Sequence, residues 1–199
     1  RMSQEHYSPG STFKVITTIA LLEEGLISKN TKIHCEGSFV FRNRAYHCWK
    51  KSGHGTLDVV GALRESCNVF FQKMMVDFDI DVLAKYAKSF GMGAKTGLDL
   101  SREARGLIPT KAWKKKRNKV SWQQGETLLC AIGQSYVLTS VTQLAVAYAA
   151  IANGGRILRP QIVKSVFDEN YKLVRDYEVD VISRSASTQD TLDIVKNGL

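Results

Sequence analysis

The first residues of the chain that could perform chemistry are Ser11 and Lys14, three positions apart. Pro9 and Gly10 form turns readily, and the apolar residues after them recur at helical spacing, which predicts a helix over 11–24 that ends before a glycine. Ser11 should lie near its N-terminus, with Lys14 one turn later on the same face. A lysine whose pKa is lowered by burial can take the serine proton and create a nucleophile. The spacing equally fits an N-capping serine beside a solvated lysine.

A second pair of polar residues, Ser66 and Asn68, follows Ser11 by more than fifty positions. A hydroxyl and an amide that point the same way can relay a proton and hold a substrate amide. If both face a substrate, the intervening Cys67 must point into the protein. The same tripeptide also fits a simple helix break with capping residues.

A third group could bind a metal: Cys35, Cys48, His54 and Cys67, in the pattern C-x12-C-x5-H-x12-C. Three thiolates and one imidazole form a complete tetrahedral set for a structural Zn²⁺, with no position left open for catalysis. A Cys35–Cys48 disulfide or unrelated free thiols are the alternatives, and the spacing is not that of a short finger. Cys130 lies among apolar residues and is predicted to be a buried free thiol.

The composition is that of a globular chain: 199 residues, 44% hydrophobic and 24% charged, enough for one large domain or one lobe. No apolar run is long enough to span a membrane and no signal peptide is visible, so a soluble fragment is expected, with an upstream anchor left open. The net charge of +9 is densest at 114–117. We interpret this run as a solvated loop, with an anionic polymer or lipid surface as the alternative partner, and expect its neutralisation to leave the chemistry unchanged. Basic repeats interleaved with aromatics are absent, so nucleic acid is not an expected partner.

The other elements follow from apolar periodicity and turn residues. Residues 28–56 should be irregular or form short strands, and 94–125 should be a loop-rich arm crossing the surface. Ser140 and Gln143 fit a capping box at the start of an amphipathic helix. The predicted elements are helices at 57–76 (interrupted at 66–68), 81–90, 139–152 and 188–196, and a β-hairpin of 162–167 with 172–177.

Ser-x-x-Lys followed by Ser-x-Asn is the motif order of penicillin-binding proteins and serine β-lactamases. The likeness extends well beyond these two motifs. The chain resembles class B penicillin-binding proteins, the group that includes the cell-elongation transpeptidases, at 7–14, 48–55, 66–68, 90–100, 122–134 and 139–155.

This resemblance implies an α/β (α+β) transpeptidase fold, with helices packed on a mostly antiparallel sheet, and a partial transpeptidase domain over 1–199. It implies a D,D-transpeptidase in which Ser11 attacks the D-Ala-D-Ala carbonyl of a peptidoglycan stem peptide. The acyl-enzyme then passes to an amine of a neighbouring stem. Lys14 would be the base, Ser66 the proton shuttle and Asn68 the holder of the peptide amide. The backbone N–H of Ser11 and one from a later strand would form the oxyanion hole.

The resemblance also implies ligands, partners and location. Some relatives hold a zinc between the first two motifs, at positions that match Cys35, Cys48, His54 and Cys67. The family is acylated by β-lactam antibiotics and works at the outer face of the bacterial cytoplasmic membrane, with its catalytic domain in the periplasm or outside the cell. Its partners there are stem peptides, a membrane-embedded glycan polymerase and elongation-complex proteins.

One family motif, Lys-Thr/Ser-Gly on a later strand, is not found at its expected place. The only Lys-Thr-Gly, at 95–97, lies too close to the second motif and matches another family segment, so we interpret it as a decoy. The sheet should then be incomplete, and this chain alone should be acylated slowly or not at all. Two rivals remain: a class D-type serine β-lactamase, which usually has an apolar residue where this chain has Asn68, and a non-catalytic fragment that binds wall-synthesis partners.

Overall fold

The computed structural model of the chain describes residues 2–100 and 102–199. Its helices and strands alternate in short runs along the chain. The helices are α1 (Lys14–Glu23), α2 (Val59–Arg64), α3 (Asn68–Met74), α4 (Ile80–Ser89), α5 (Lys111–Asn118), α6 (Gln124–Cys130), α7 (Val141–Ala152) and α8 (Gln189–Asn197). The strands are β1 (Ile33–Cys35), β2 (Ser38–Phe41), β3 (Arg44–His47), β4 (Gly55–Leu57), β5 (Arg156–Leu158), β6 (Ser165–Phe167), β7 (Leu173–Asp176) and β8 (Val181–Arg184).

The strands of the described residues form four separate two-stranded antiparallel sheets, which pair β1 with β4, β2 with β3, β5 with β8 and β6 with β7. The predicted α/β class with antiparallel pairing is therefore confirmed. The strands do not join into one sheet within this part of the chain. Some ladders are instead packed against neighbouring helices, β5 against α7 and β1 against α3, whereas the β6–β7 pair is largely exposed.

The helix α1 is the centre of the core. Every residue from Lys14 to Leu21 is buried, and α1 packs against α2, α3, α4 and α8. Burial of a large apolar side chain contributes about 1.5–3 kcal/mol, and Phe13, Ile16, Ile19 and Leu21 are all essentially inaccessible to solvent. The helix that carries the Ser-x-x-Lys motif is thus fixed from several sides.

Most predicted elements are confirmed to within a few residues. Ser140 caps α7 with the expected reciprocal bonds: Gln143 N donates to Ser140 Oγ at 3.2 Å, and Ser140 N donates to Gln143 Oε1 at 3.0 Å. The predicted hairpin is the β6–β7 pair. Among the described residues, no helix reaches the length and hydrophobicity that crossing a membrane requires.

The prediction of a loop-rich arm over 94–125 is wrong in its second half, where α5 and the start of α6 lie. The side chain of Thr110 caps α5 by accepting from Trp113 N at 3.0 Å. A capping box of Gln123 and Glu126 starts α6. A capping threonine before a run of good helix formers was a signal for α5. Position 101, in the same arm, lies outside the described residues.

The basic run at 114–117 is also not a solvated loop, because it forms the last part of α5. The side chain of Lys114 is only 4% exposed and forms an ion pair with Glu126 at 2.5 Å. Its ammonium also lies 5.6 Å from the centre of the Trp122 ring. Lys115, Lys116 and Arg117 remain exposed. The four cations of the run are therefore not equivalent.

We expect Lys114→Met to lower the free energy of unfolding on the order of 3 kcal/mol, because it leaves the Glu126 carboxylate largely buried without its cation. The combined change of Lys115, Lys116 and Arg117 to Gln, the matched control, should cost less than about 1 kcal/mol. Urea unfolding followed by fluorescence measures both. Equal effects of the two variants would contradict the buried pair.

Candidate active site and metal-binding cluster

The nucleophile candidate lies where the chain turns into the core. Ser11 is exposed within a 3₁₀ turn, Gly10–Phe13, that runs directly into α1. Lys14, the first residue of α1, is 1% exposed. The predicted arrangement, a reachable hydroxyl one turn before a buried amine, is what the structure has.

The side-chain nitrogen of Lys14 contacts every other residue of the site. Its Nζ lies 3.2 Å from Ser11 Oγ, 3.0 Å from Ser66 Oγ, 2.7 Å from the Ser66 carbonyl oxygen and 2.6 Å from Asn68 Oδ1. The structure therefore brings all four predicted catalytic side chains into one hydrogen-bonded group.

The chemistry of these four partners decides what Lys14 can do. The Ser66 carbonyl and Asn68 Oδ1 can only accept, whereas the two hydroxyls can also donate. A neutral amine has two N–H donors and one lone pair. Its donors can serve the two obligate acceptors, which are also the closest, and its lone pair is then left for a hydroxyl of Ser11 or Ser66. Neutral Lys14 is thus oriented as a proton acceptor.

Burial lowers the pKa of Lys14 to about 8, and the thiols of Cys48 and Cys67, if ionised, oppose this shift. At pH 7 a lysine with that pKa is neutral in about one molecule in ten, compared with about one in three thousand for an unperturbed lysine. The shift gives Lys14 a usable population of the base form.

Ser66 owes its position to the end of α2. The N–H of Cys67 bonds to Ala62 O at 2.9 Å and the N–H of Ser66 bonds to Leu63 O at 3.0 Å, the two bonds of a Schellman motif. The left-handed position in this motif usually holds glycine, and Ser66 occupies it with φ 51°. A non-glycine residue there costs about 1–3 kcal/mol, which neighbouring contacts must offset.

Asn68 begins α3 and is held from two sides. Its Oδ1 faces Lys14, and its Nδ2 donates to the backbone carbonyl of His47 at 3.4 Å, so the amide orientation follows from its partners. The ring of Phe71, one turn later on the same helix face, lies 5.7 Å from Lys14 Nζ. Sequence reasoning missed both neighbours. The spacing of Phe71 from Asn68 was an available signal, whereas nothing in the sequence indicates the His47 carbonyl.

The four predicted metal ligands also converge. The ligand atoms of Cys35, Cys48, His54 and Cys67 all lie within 4.8 Å of one another. His54 Nδ1 is 3.7 Å from Cys35 Sγ and 3.5 Å from Cys48 Sγ, and Cys48 Sγ is 4.0 Å from Cys67 Sγ. A tetrahedral zinc with ordinary bond lengths separates two sulfurs by about 3.8 Å and a sulfur from a nitrogen by about 3.5 Å. The donor set therefore fits a zinc ion.

The surroundings of these ligands fit a metal as well. Burial lowers the pKa of His54, which keeps its ring neutral, as a ligand must be. Burial raises the pKa of the Cys48 thiol, but hydrogen bonds from the backbone N–H groups of residues 69, 50 and 68 and from Cys35 together outweigh burial and lower this pKa. Burial raises the pKa of Cys67 to about 12, so this thiol would ionise only with a strong cationic partner. His54 Nε2 is buried and has no hydrogen-bond partner among the described residues.

The local backbone explains how distant ligands meet. Strands β1 and β4 pair with Cys35 opposite Gly55, which places Cys35 beside His54. The N–H of His54 donates to Cys35 O at 3.0 Å. Gly53 allows this approach, because a Cβ at its position would lie 2.2 Å from Cys35 O, and its φ is 77°. Cys67 is fully buried and points inward, as predicted.

The remaining cysteine predictions have clear outcomes. Cys35 and Cys48 are free thiols, so the alternative Cys35–Cys48 disulfide is not formed. Cys130 is free and fully buried, as predicted, and burial raises its pKa to about 12.

The Lys-Thr-Gly at 95–97 is not on a strand. It is an irregular segment in which Thr96 N and Gly97 N donate to the two oxygens of Glu103, at 2.6 and 3.1 Å. The Glu103 carboxylate thus accepts from the two backbone N–H groups that a β-strand would use to pair with a neighbouring strand. This agrees with the interpretation of the tripeptide as a decoy.

Comparison with known proteins gives the same family throughout. The profile described as "Penicillin binding protein transpeptidase domain" matches residues 1–199. The peptidoglycan D,D-transpeptidase MrdA of Haemophilus influenzae is 36% identical over 168 residues, which are 83% of this chain and 26% of that protein.

Two solved structures are similar over nearly the whole chain. The penicillin-binding protein PBP2 of Helicobacter pylori, in complex with MreC, has a TM-score of 0.87 at 30% identity, covering 100% of this chain and 35% of that one. The PBP2 of Pseudomonas aeruginosa in complex with WCK 5153 has a TM-score of 0.84 at 30% identity, covering 99% and 44%.

This chain spans about a quarter of the length of the MrdA protein that it matches. Within that span, the family profile, the identity to MrdA and the structural likeness to PBP2 coincide with the Ser-x-x-Lys and Ser-x-Asn motifs, which meet at Lys14. The chain belongs to the penicillin-binding protein transpeptidase family.

Proposed function

We propose that this chain supplies the acylation machinery of a peptidoglycan D,D-transpeptidase of the penicillin-binding protein 2 kind. The observation that carries the proposal is the contact of one buried amine, Lys14 Nζ, with both serine hydroxyls and the Asn68 amide. A buried lysine with a lowered pKa, set between a reachable hydroxyl and a second hydroxyl, fits nucleophilic catalysis.

In the proposed reaction, Ser11 Oγ attacks the carbonyl carbon between the two D-alanines of a stem peptide. The proton of Ser11 passes to neutral Lys14, and negative charge develops on the substrate oxygen beside the backbone N–H of Ser11. The peptide C–N bond then breaks. The leaving amine takes a proton from Lys14 by way of the Ser66 hydroxyl, and D-alanine departs. An amine of a second stem attacks the ester, which restores Ser11 and forms the cross-link.

The amide of Asn68 has the remaining role of holding the substrate. Its Oδ1 accepts from Lys14, whereas Nδ2 makes, among the residues the structure describes, only the long bond to His47 O. One N–H of Nδ2 is therefore available to a peptide carbonyl or to the side-chain amide of a β-lactam.

The rival activity is hydrolysis by a class D-type β-lactamase. Asn68 argues against it, because its amide gives the second motif the polar form of transpeptidases. The relative with 36% identity is named as a transpeptidase. A non-catalytic binding role is disfavoured by the intact hydrogen-bonded group around Lys14, whose burial costs stability and is unexplained without chemistry.

The cluster of Cys35, Cys48, His54 and Cys67 is proposed to hold a structural Zn²⁺. When bound, the ion would supply a fixed cross-link and no reaction step, because four protein ligands leave no open position. The effect of the ion on the second motif would pass through its ligands. Cys67 lies between Ser66 and Asn68, and Cys48 follows His47, whose carbonyl accepts from Asn68.

Partners and location are proposed by likeness. The H. pylori PBP2 was solved with MreC, and this chain is proposed to act in a comparable elongation assembly with a membrane-embedded glycan polymerase. Its substrates would be stem peptides and its inhibitors β-lactams. We propose that it acts at the outer face of the bacterial cytoplasmic membrane, with its catalytic domain in the periplasm or outside the cell, as one partial transpeptidase domain.

The experiment that tests the function is covalent labelling of the natural full-length protein with a fluorescent penicillin, followed by peptide mapping. A stable adduct on the peptide that contains Ser11, together with D-alanine release from a stem pentapeptide, is the expected result. Fast penicillin turnover with no lasting adduct would assign the protein to the β-lactamases. If the protein forms no penicillin adduct, does not turn penicillin over and releases no D-alanine, a non-catalytic role would be assigned.

A further inference from the structure

The residues just before Ser11 are attached to a distant part of the chain through one carbonyl group. The Gly133 carbonyl accepts from Gly10 N at 2.9 Å and from Ser8 Oγ at 2.6 Å. These donors lie one and three positions before Ser11. Two hydrogen bonds to a single oxygen restrict the orientation and the position of the turn that contains Ser11.

The approach of the two backbones requires glycine at position 133. A Cβ there would lie 2.2 Å from Gly10 O and 2.8 Å from Phe13 Cβ, and Gly133 has φ 68°. No other residue type tolerates both the contact and the backbone angle. The close contact is therefore specific to this pair of segments.

The Gly133 segment is itself anchored from behind. Ala131 O accepts from Thr17 Oγ1 of α1 at 2.7 Å, in a fully buried bond. Glu126 of α6, seven residues before Gly133, forms an ion pair with Lys114. Its carboxylate also accepts a hydrogen bond from the hydroxyl of Tyr136, three residues after Gly133, at 3.2 Å. The chain on either side of Gly133 is thus linked through this carboxylate. The carbonyl that holds the Ser11 turn thus belongs to a rigid part of the fold.

We propose that Ser8 is a positioning residue for the nucleophile, acting through the Gly133 carbonyl. The inference deepens the proposed function and rests on it. Ser8 touches no reacting atom. Its hydroxyl holds the turn in the conformation in which Ser11 Oγ lies within hydrogen-bond distance of Lys14 Nζ. Without that bond, the turn keeps the Gly10 N–H link and the bond from Tyr148 OH to Thr12 O at 3.0 Å, but its segment before Ser11 is held less firmly. Ser11 then loses alignment with its base, on which acylation depends steeply.

The test is the acylation kinetics of Ser8→Ala in the natural full-length protein, measured over a range of fluorescent penicillin concentrations. The acylation rate constant should fall about tenfold, while the dissociation constant of the initial non-covalent complex stays within twofold. Ser8→Thr keeps the hydroxyl at an exposed position and should restore most of the rate.

The matched control is Ser89→Ala. Ser89 Oγ also donates to a backbone carbonyl, that of Tyr86 at 2.8 Å, at the end of α4. Its loss should affect stability comparably and leave the acylation rate constant within twofold of the original.

The possible results distinguish a failure of the Ser8 positioning role from a failure of the proposed function. Labelling of the unsubstituted protein with an unchanged rate constant in Ser8→Ala would overturn the positioning role and leave the proposed function intact. Equal slowing in Ser8→Ala and Ser89→Ala, or no recovery in Ser8→Thr, would likewise overturn it. Absence of labelling in the unsubstituted protein would remove the proposed function, and the positioning role with it.

Discussion

Replacing Ser11 with alanine should abolish covalent labelling by penicillin, because no other hydroxyl of the site can replace its attack on a substrate. Ser66 Oγ also contacts Lys14, but Ser66 is half-buried whereas Ser11 is exposed. We expect the Ser11→Ala protein to bind penicillin without forming an adduct. Mass spectrometry of the intact protein measures this directly.

Lys14→Ala should slow acylation about a thousandfold, within the range that general-base catalysis contributes. It also leaves Asn68 Oδ1 and the Ser66 carbonyl without their donor, so part of the loss will come from a loosened second motif. The matched control is Lys88→Ala, which removes an exposed lysine from α4. Thermal unfolding of both variants shows whether the lost rate reflects an altered site or an unfolded protein. Retained labelling in Ser11→Ala, or normal acylation in Lys14→Ala, would contradict the assigned roles.

The sequence was sufficient for elements whose signal is local. The apolar stripe after Gly10 predicts α1, and Ser140 with Gln143 predicts the start of α7, because periodicity and capping are read within one or two turns. The joint position of Ser11 and Lys14 follows from the same local geometry. Their contact with Ser66 and Asn68 is non-local, and the motif order in a known family was needed to expect it.

The errors have physical causes that no local pattern reveals. The basic run of α5 is typical of a solvated loop, whereas the burial of Lys114 against Glu126 depends on how α5 and α6 pack. Strand β8 pairs with β5 across the whole β6–β7 hairpin, a contact between residues far apart in the chain. Ser66 was placed at a helix break, but its left-handed conformation was not foreseen, because glycine usually holds that position.

For the cysteine–histidine cluster, too, some features follow from the sequence and others only from the structure. Residue types and spacing suggested the ligand set, and the structure brings the four side chains together. The connection of the cluster to the second motif through Cys67 follows from the sequence, because Cys67 lies between Ser66 and Asn68. The second connection, through the backbone of His47 next to Cys48, needed coordinates. A rigid cluster at these two points would fix both Ser66 and Asn68.

Elemental analysis of the natural protein should find one zinc ion per chain, and Cys67→Ala should lose it. Three ligands remain in that variant, but the tetrahedral set is broken and the polar segment around it has little apolar surface of its own. We expect a fall in the free energy of unfolding of more than about 4 kcal/mol, in the range typical of a lost metal site. His54→Ala should have a similar effect, and acylation should slow as the second motif loosens.

Cys130→Ala is the matched control for both variants. Cys130 is as buried as Cys67 and equally free, but it lies outside the ligand cluster. Its replacement should keep the zinc content at one per chain and cost only the small loss of packing expected for a buried thiol. A chelator strong enough to remove the ion should lower the melting temperature of the Cys130→Ala protein and leave that of Cys67→Ala unchanged. Protein that contains no zinc as isolated, together with equal stability of Cys67→Ala and Cys130→Ala, would show that these thiols pack together without a metal.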